Sequence, residues 1–569
     1  MLGVFSVALG MYWWTLAPGL VWGDGPELAA VASSLGIAHP TGYPLSTLLT
    51  HVWLWLPIAG SVAWRTNLLC AVFSAATVGL MVVLLSRWRR DLFGKAASEE
   101  NPLHEALAAA GGLAYAFALG PWSHATLTEV YPLQVLLQTT VVLAAWHTTK
   151  SGRGLLIVVG LFALALGHHL LAVVLLPLVG VAAWRVLAAA TDRAERLRRS
   201  LGALAALGVG LLPLLYLPLR AAQKPAINWG DPSTLGRWIG HLRGGSYIDE
   251  LWLTGQPGTP FRGVGDFGLH LLDRLRSVTG YLLGQVLPPE GLPPLAWVLA
   301  LAIAALALAL GLGRLAEGSR RFAWGQGASV VLYVGVVATY NIHDIVDYQL
   351  GLVALLWPVA WLGASELVAG RAQTVRLPRP ARGLVGGFLM LLPLALGFGH
   401  REVSDRSDFD LGDRYAQRLL DSLPPDAVLV TRGQFVTSSA WYQQEALGQR
   451  RDVRVVVQEF LAERWYAPSL EGRDLGGLKV PARVDDQGLG MVTVAALEAL
   501  VAANPGESIF LLASPRQKVL LDRHFDLRPH ANLLDSDEIG EAFDHGFEPP
   551  ENRVFRILGL VGEPRAQSP

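Results

Sequence analysis

Two acidic residues three apart, Asp24 and Glu27, lie in the string Trp22-Gly23-Asp24-Gly25-Pro26-Glu27-Leu28. An imidazole and a phenol follow in Gly36-Ile37-Ala38-His39-Pro40-Thr41-Gly42-Tyr43-Pro44. If a helix starts at Pro26, both carboxylates share one face, with Asp24 near the helix N-terminus. Asp24 could then simply cap that helix, or it could act as a general base at a membrane surface. The glycines and prolines set turns and admit close approach of a ligand, as they would in any tight loop.

Further polar groups recur at intervals. Trp122, His124, Glu129 and Tyr131 fall in one short segment, and His168 with His169 sit where two apolar runs meet. Paired histidines can ligate a metal, but no His-Glu-x-x-His pattern or comparable ligand spacing accompanies them, so hydrogen bonding or acid–base work is favoured over a divalent metal. Arg220, just after Tyr216 and Pro218, could snorkel to lipid headgroups or clamp a phosphate through two parallel hydrogen bonds. Beyond it come Asn228-Trp229-Gly230-Asp231-Pro232 and Gly244-Gly245-Ser246-Tyr247, and later Asn341-Ile342-His343-Asp344 with Asp347 and Tyr348. This last group also reads as an ordinary solvated loop.

What must position these groups is a membrane scaffold. The chain is 52% hydrophobic and 16% charged, with a mean hydropathy of +0.39, values outside the range of ordinary soluble domains. A net charge of -1 supplies no basic field for nucleic acid. The single cysteine, Cys70, excludes disulfides within the chain and a zinc–cysteine site.

The uncharged run from Leu2 to Leu20 lacks a basic leader and a small-residue cleavage site and carries Tyr12, Trp13 and Trp14, so it reads as a retained helix. Apolar runs follow near 66–86, 104–120, 131–149, 154–167, 170–187, 201–219, 291–313, 324–340, 348–365 and 382–399, about eleven spans in all. Runs 43–58 and 266–288 are mixed or broken by proline and are expected to be interfacial or re-entrant helices. Basic residues concentrate in alternate loops, including Arg87, Arg89, Arg90, Lys150, Arg153, Arg196, Arg198, Arg199, Arg320, Arg321, Arg379 and Arg382. The positive-inside rule makes those loops cytoplasmic, so the N-terminus is inside and the polar segments are outside.

From about residue 400 charge becomes frequent and β-rich runs appear at Ala427–Thr431, Val453–Val457 and Ile509–Ala513, with a helical pattern over Val492–Ala503. The expected architecture is an all-α polytopic membrane domain over 1–400 followed by a soluble extracytoplasmic α/β domain over 401–569. That second domain has no glycine-rich phosphate loop, so binding or positioning is expected of it rather than catalysis.

Taken in order, Gly23-Asp24-Gly25-Pro26-Glu27-Leu28, Leu35-Gly36-Ile37-Ala38-His39-Pro40-Thr41-Gly42-Tyr43-Pro44-Leu45, Arg65-Thr66-Asn67-Leu68, Glu129-Val130-Tyr131, Tyr216-Leu217-Pro218-Leu219-Arg220 and Asn228-Trp229-Gly230-Asp231-Pro232 resemble a bacterial family of uncharacterised multispanning proteins. That family is similar to eukaryotic protein O-mannosyltransferases of the plexin-modifying type and belongs with the GT-C glycosyltransferases. The resemblance covers roughly residues 1–350, and more loosely Leu420–Val457. It implies an inverting transfer of a mannose-like sugar from a polyprenyl-phosphate donor to an acceptor hydroxyl at the outer face of a bacterial inner membrane, with no cofactor.

Asp24 matches the catalytic aspartate of the superfamily, and Glu27 is the next candidate. Arg220, helped by His168 or His169, would balance charge on the leaving phosphate. The remaining expected substrate-binding residues are His39, Tyr43, His124, Glu129, Tyr131, Asn228, Trp229, Asp231 and Tyr247. Gly167-His168-His169 departs from the family's glycine, asparagine and histidine at that turn. The implied partners are the lipid-linked donor, a protein or glycan acceptor and membrane lipids. A flippase for a lipid-linked glycan is the main alternative, but it calls for polar residues continuing to the cytoplasmic half, where the spans are apolar. A membrane-anchored sensor is a third reading.

Overall fold

The computed structural model describes residues 1–93, 102–245, 255–256, 259–260, 264–287, 293–340, 342, 345–370, 375, 377–470, 475–481, 489–544 and 552–561. Tyr247, Asn341, His343 and Asp344 lie outside the described residues.

A backbone in hydrocarbon must satisfy its polar groups within its own segment, so long apolar runs become helices. Each predicted run is helical. In order they are Leu2–Trp14, Val62–Phe93, Pro102–Ala116, Tyr131–Ser151, Leu155–His168, Leu170–Leu187, Arg193–Ala221, Pro294–Thr339, Ile345–Ala369 and Arg379–Gly399. The two runs expected near 291–313 and 324–340 share the segment Pro294–Thr339, which leaves helical geometry at Ser319 (φ -162°, ψ 100°) and is therefore two helices.

Among the described residues, six of these segments are long and apolar enough to cross a membrane, whereas Leu2–Trp14 and Leu155–His168 are apolar but shorter. The run near 266–288, expected to be an interfacial or re-entrant helix, forms the helix Val264–Gly284. Glycine lets two of the long helices meet backbone to backbone: a Cβ on Gly311 would lie 1.9 Å from the Val359 carbonyl oxygen, and one on Gly363 the same distance from that of Ala307.

The three β-rich runs form strands Val428–Thr431, Arg454–Val457 and Ile509–Leu512 of one five-stranded sheet. Val428–Thr431 lies between the other two and is parallel to both. Arg553–Leu560 and then Phe525–Asn532, which the sequence pattern did not reveal, extend it antiparallel. Side chains alternate across a strand, so the sheet divides two cores. Val428, Val430 and Leu511 pack with Ala496, Leu497 and Leu500 of Leu489–Ala503 on one side. Leu429, Phe510 and Leu512 pack with Leu411, Tyr415 and Leu419 on the other.

That second core also takes in Ala17, Val21 and Trp22 from the loop after the first helix. The sheet domain is thus seated on the loop that carries Asp24. Trp22 meets the rings of Phe409 and Phe435 edge-on or tilted at 5.2 and 5.5 Å. The Leu20 N–H donates to Asp413 Oδ1 (3.3 Å), the Ala63 N–H to the Tyr442 hydroxyl (3.1 Å), and Arg406 to Thr126 Oγ1 (2.7 Å).

Candidate active site

Asp24 occupies the N-cap position of the helix Gly25–Ser34, with Pro26 in its first turn. Its side chain does not cap the helix. Instead Oδ1 accepts a hydrogen bond from Gln434 Nε2, and Oδ2 lies 3.5 Å from His39 Nε2. Glu27, one turn on, is fully buried. Its carboxylate accepts the backbone N–H of His39 (2.7 Å), His39 Nδ1–H (3.1 and 3.2 Å to its two oxygens) and Gln434 Nε2–H (3.2 Å). An ionised carboxylate only accepts, so Nδ1 of His39 carries the proton and Nε2 is left as an acceptor for the Tyr43 hydroxyl at 3.2 Å. The half-buried Asp24 is the only one of the two carboxylates with exposed side-chain surface, 22% against 0%.

The His39 loop is pinned from a distant segment. Ile37 N–H donates to the Ile227 carbonyl (2.8 Å) and Trp229 N–H to that of Ile37 (3.3 Å). This seats the Trp229 ring 5.9 Å from His39 and 4.7 Å from Phe460 of the sheet domain. Asn228 and Asp231 face each other (3.2 Å), and Asp231 pairs with Arg237 (2.9 Å), so both shape this loop rather than the acidic cluster. Beneath it lies His241, 4% exposed. Burial chiefly, with the neighbouring His39 imidazole second, lowers it from 6.5 to about 4. Cβ atoms at Gly42 and Gly230 would each come within 2.9 Å of its ring nitrogens, so two left-handed glycines (φ +89° and +70°) make room for it.

A cage of rings adjoins Tyr43, a non-glycine residue at φ 42°. His169 lies 5.8 Å from Tyr43, 5.8 Å from Tyr131 and 5.3 Å from Tyr348. Its Nδ1 accepts the Leu171 N–H (3.1 Å), capping the following turn, and its buried Nε2 has no hydrogen-bond partner among the described residues. His168 Nε2 donates to the Val130 carbonyl (3.0 Å). His124 bonds Asp347 (3.0 Å) and the Gly120 carbonyl (2.8 Å). Glu129 Oε1 approaches Gly23, 3.8 Å from where a Cβ would stand.

Arg220 does not reach this cluster. Its Nε donates to the Leu35 carbonyl (2.6 Å), Nη2 to that of Ser34 (3.0 Å) and Nη1 to Gln223 (2.8 Å), which ties down the C-terminus of the Glu27 helix. Among the described residues no group of three His, Cys, Asp or Glu side chains is placed to hold a metal ion. Sequence reasoning missed Gln434 and His241. The signal for Gln434 was its place just after a parallel strand, behind a left-handed glycine (Gly433, φ 80°) and at the start of the helix Gln434–Trp441.

A family model described as the protein O-mannosyl-transferase TMEM260 N-terminal domain matches residues 24–190, and one described as TMEM260-associated domain 2 matches residues 412–501. The chain is 27% identical over 496 residues to protein O-mannosyl-transferase TMEM260 of Mus musculus, covering 84% of this chain and 65% of that protein. It is 22% identical over 508 residues to the protein O-mannosyl-transferase tmem260 of Dictyostelium discoideum, covering 80% and 56%. It therefore spans less than two thirds of the length of these curated relatives.

Among solved structures it is similar to ArnT from Cupriavidus metallidurans, both bound to undecaprenyl phosphate (13% identical) and in the apo state (14%). The TM-score is 0.55 in each case, covering 98% of this chain and 97% of that one. The chain thus has an ArnT-like GT-C fold, and Asp24, Glu27 and Gln434 all lie inside the two stretches that match TMEM260 models.

Proposed function

We propose that this chain is a protein O-mannosyltransferase that moves mannose from a polyprenyl-phosphate donor to a hydroxyl of an acceptor protein, inverting the anomeric centre. The observation that carries this reading is the half-buried Asp24 carboxylate, held between Gln434 and His39 where the membrane helices meet the sheet domain. Asp24 takes the acceptor hydroxyl proton as its oxygen attacks C1. The C1–O bond to phosphate breaks on the opposite face, and its electron pair leaves on the phosphate.

Glu27, wholly buried and fully engaged, fixes the His39 tautomer and so the orientation of the ring that borders Asp24. The Nε2–H of His169, without a hydrogen-bond partner among the described residues, suits a phosphate or sugar oxygen, whereas Arg220 orders the loop. The ArnT structure with undecaprenyl phosphate supports a lipid-linked donor, and the names of the curated relatives support mannose and a protein acceptor.

The outer face of a bacterial cytoplasmic membrane is the proposed location. The helix Val62–Phe93 begins beside the cluster, where Asn67 donates to the Ala17 and Gly19 carbonyls (3.0 and 2.9 Å), and ends at Arg87, Arg89 and Arg90. Basic residues at the far end support a cytoplasmic placement of that end. The test is transfer from defined polyprenyl-phosphate sugars to peptide acceptors in membranes carrying the parent, Asp24→Asn or Glu27→Gln. The expected loss for Asp24→Asn is about 100-fold or more. Full transfer by Asp24→Asn would remove the general base and with it this mechanism.

A further inference from the structure

The sheet domain does more than sit on the membrane helices. We infer that Gln434 is a positioning residue of the reaction, a side-chain amide supplied by the C-terminal domain that holds the Asp24 and Glu27 carboxylates side by side and keeps Asp24 an ionised base. This inference rests on the reading of Asp24 as general base.

The chemistry of the contact is specific. A primary amide nitrogen carries two N–H donors, and Gln434 Nε2 directs them to Asp24 Oδ1 and Glu27 Oε2, the latter at 3.2 Å. Two neighbouring carboxylates repel, and the repulsion favours a proton on one of them. A donor shared between them opposes that protonation without adding charge. A cation in the same place would hold the carboxylates more tightly but would make Asp24 a weaker base. A neutral donor leaves Asp24 both ionised and able to take up a proton.

Gln434 is itself fixed. Its backbone carbonyl accepts Ser438 Oγ–H (2.8 Å), Gly433 N–H donates to Glu459 (2.8 Å), and Thr437 bonds Thr431 at the end of the strand Val428–Thr431 (2.9 Å). With Oδ1 of Asp24 taken by the amide, Oδ2 is left turned towards His39 Nε2.

The charged and titratable groups around this contact come from several elements. His39 and Tyr43 belong to the first loop, Glu129 to the loop before the helix Tyr131–Ser151, Tyr348 to the segment Ile345–Ala369, and Glu459 to the sheet domain. None of these changes in a substitution series at Gln434, so the series reports the charge at one point.

The experiment measures kcat against pH for full-length protein in membranes, with the parent, Gln434→Glu, Gln434→Met and Gln434→Lys. Gln434→Glu adds a third carboxylate and is expected to move the acid limb of the profile up by about 1 pH unit. Gln434→Lys is expected to move it down by about as much. Gln434→Met removes the donor without adding charge, so kcat is expected to fall ~10-fold with a smaller upward shift and donor KM little changed. Tyr442→Phe, which removes the separate bond to Ala63 N–H, leaves the limb where it is.

An unchanged limb in all three Gln434 variants, or full kcat in Gln434→Met, overturns the inference. If Gln434→Glu fails to fold, Gln434→Met and Gln434→Lys still decide it. Asp24→Asn is measured alongside: its full activity would sink the transferase mechanism itself, whereas an inactive Asp24→Asn with an immobile limb would sink only the role of Gln434.

Discussion

Arg220→Ala separates two roles that arginine could play here. In the structure its guanidinium donates to the carbonyls of Ser34 and Leu35 at the C-terminal end of the Glu27 helix, where a cation also complements the helix dipole. Hydrogen bonds from a charged group contribute about 1.5–3 kcal/mol each. Because the guanidinium is part-exposed and water can replace it, each bond falls below that range, to about 1 kcal/mol, and the pair together is worth about 2 kcal/mol.

Leu35 is in the left-handed region (φ 51°), a conformation that costs a non-glycine residue roughly 1–2 kcal/mol and that these bonds help to hold. The turn from Ser34 leads directly to His39, so the loss falls on the loop that carries His39. If all of it reached the transition state, kcat would drop by up to ~30-fold. Donor KM should stay within about 3-fold, because the lost contacts are to the chain itself and not to substrate. Thermal stability in detergent should fall as well.

The assay is initial rate over a donor concentration series at saturating acceptor, paired with thermal unfolding of the same preparations. A donor KM raised tenfold or more with unfolding unchanged would refute this reasoning. That result would return Arg220 to the phosphate-clamp role expected from the sequence.

Three other expectations follow from buried contacts. His241 is neutral in the folded protein and lowered to about 4, so its stabilising contribution is complete above its ordinary 6.5 and is lost as pH falls from there towards 4. Thermal unfolding across that range should show the loss in the parent and a flatter profile in His241→Gln, and equal profiles would contradict it. Asp413, at the domain junction, is raised mainly by burial. A carboxyl shifted upward on folding stabilises most when protonated and loses that advantage as pH rises through its folded value. Asp413→Asn should therefore unfold at a higher temperature at neutral pH, with the gain vanishing in acid, and no gain at neutral pH would count against it. Gly412→Ala would set a Cβ 2.1 Å from the Leu20 carbonyl oxygen, so it should speed proteolysis of the sheet domain and lower transfer. Unchanged proteolysis would show that the seat can give.

The membrane helices were legible because apolar runs of spanning length have few alternatives, and even the break at Ser319 was visible as an interruption of charge and glycine between two runs. Strands Phe525–Asn532 and Arg553–Leu560 were not, since each mixes polar and apolar residues without clean alternation. Asp24, Glu27, His39 and Tyr43 could be read as one group because a single short loop contains them all. Gln434 could not, because glutamine is unremarkable in a soluble helix until a partner from a distant segment is placed against it. The backbone partners of Arg220 were equally hidden, since no sequence pattern marks which carbonyls a guanidinium will meet. His124 and Asp347 were each noticed, but their pairing needed the fold.

The donor that serves Asp24 comes 410 residues after it in the chain. During synthesis the membrane helices are therefore made, and can insert, while the acidic pair still lacks its shared amide. A product terminated after Gly399 would keep every membrane helix described above together with Asp24, Glu27 and His39, yet lack Gln434. Such a fragment should accumulate in the bilayer with activity reduced at least as far as in Gln434→Met, so the order of biosynthesis itself would hold back unfinished molecules.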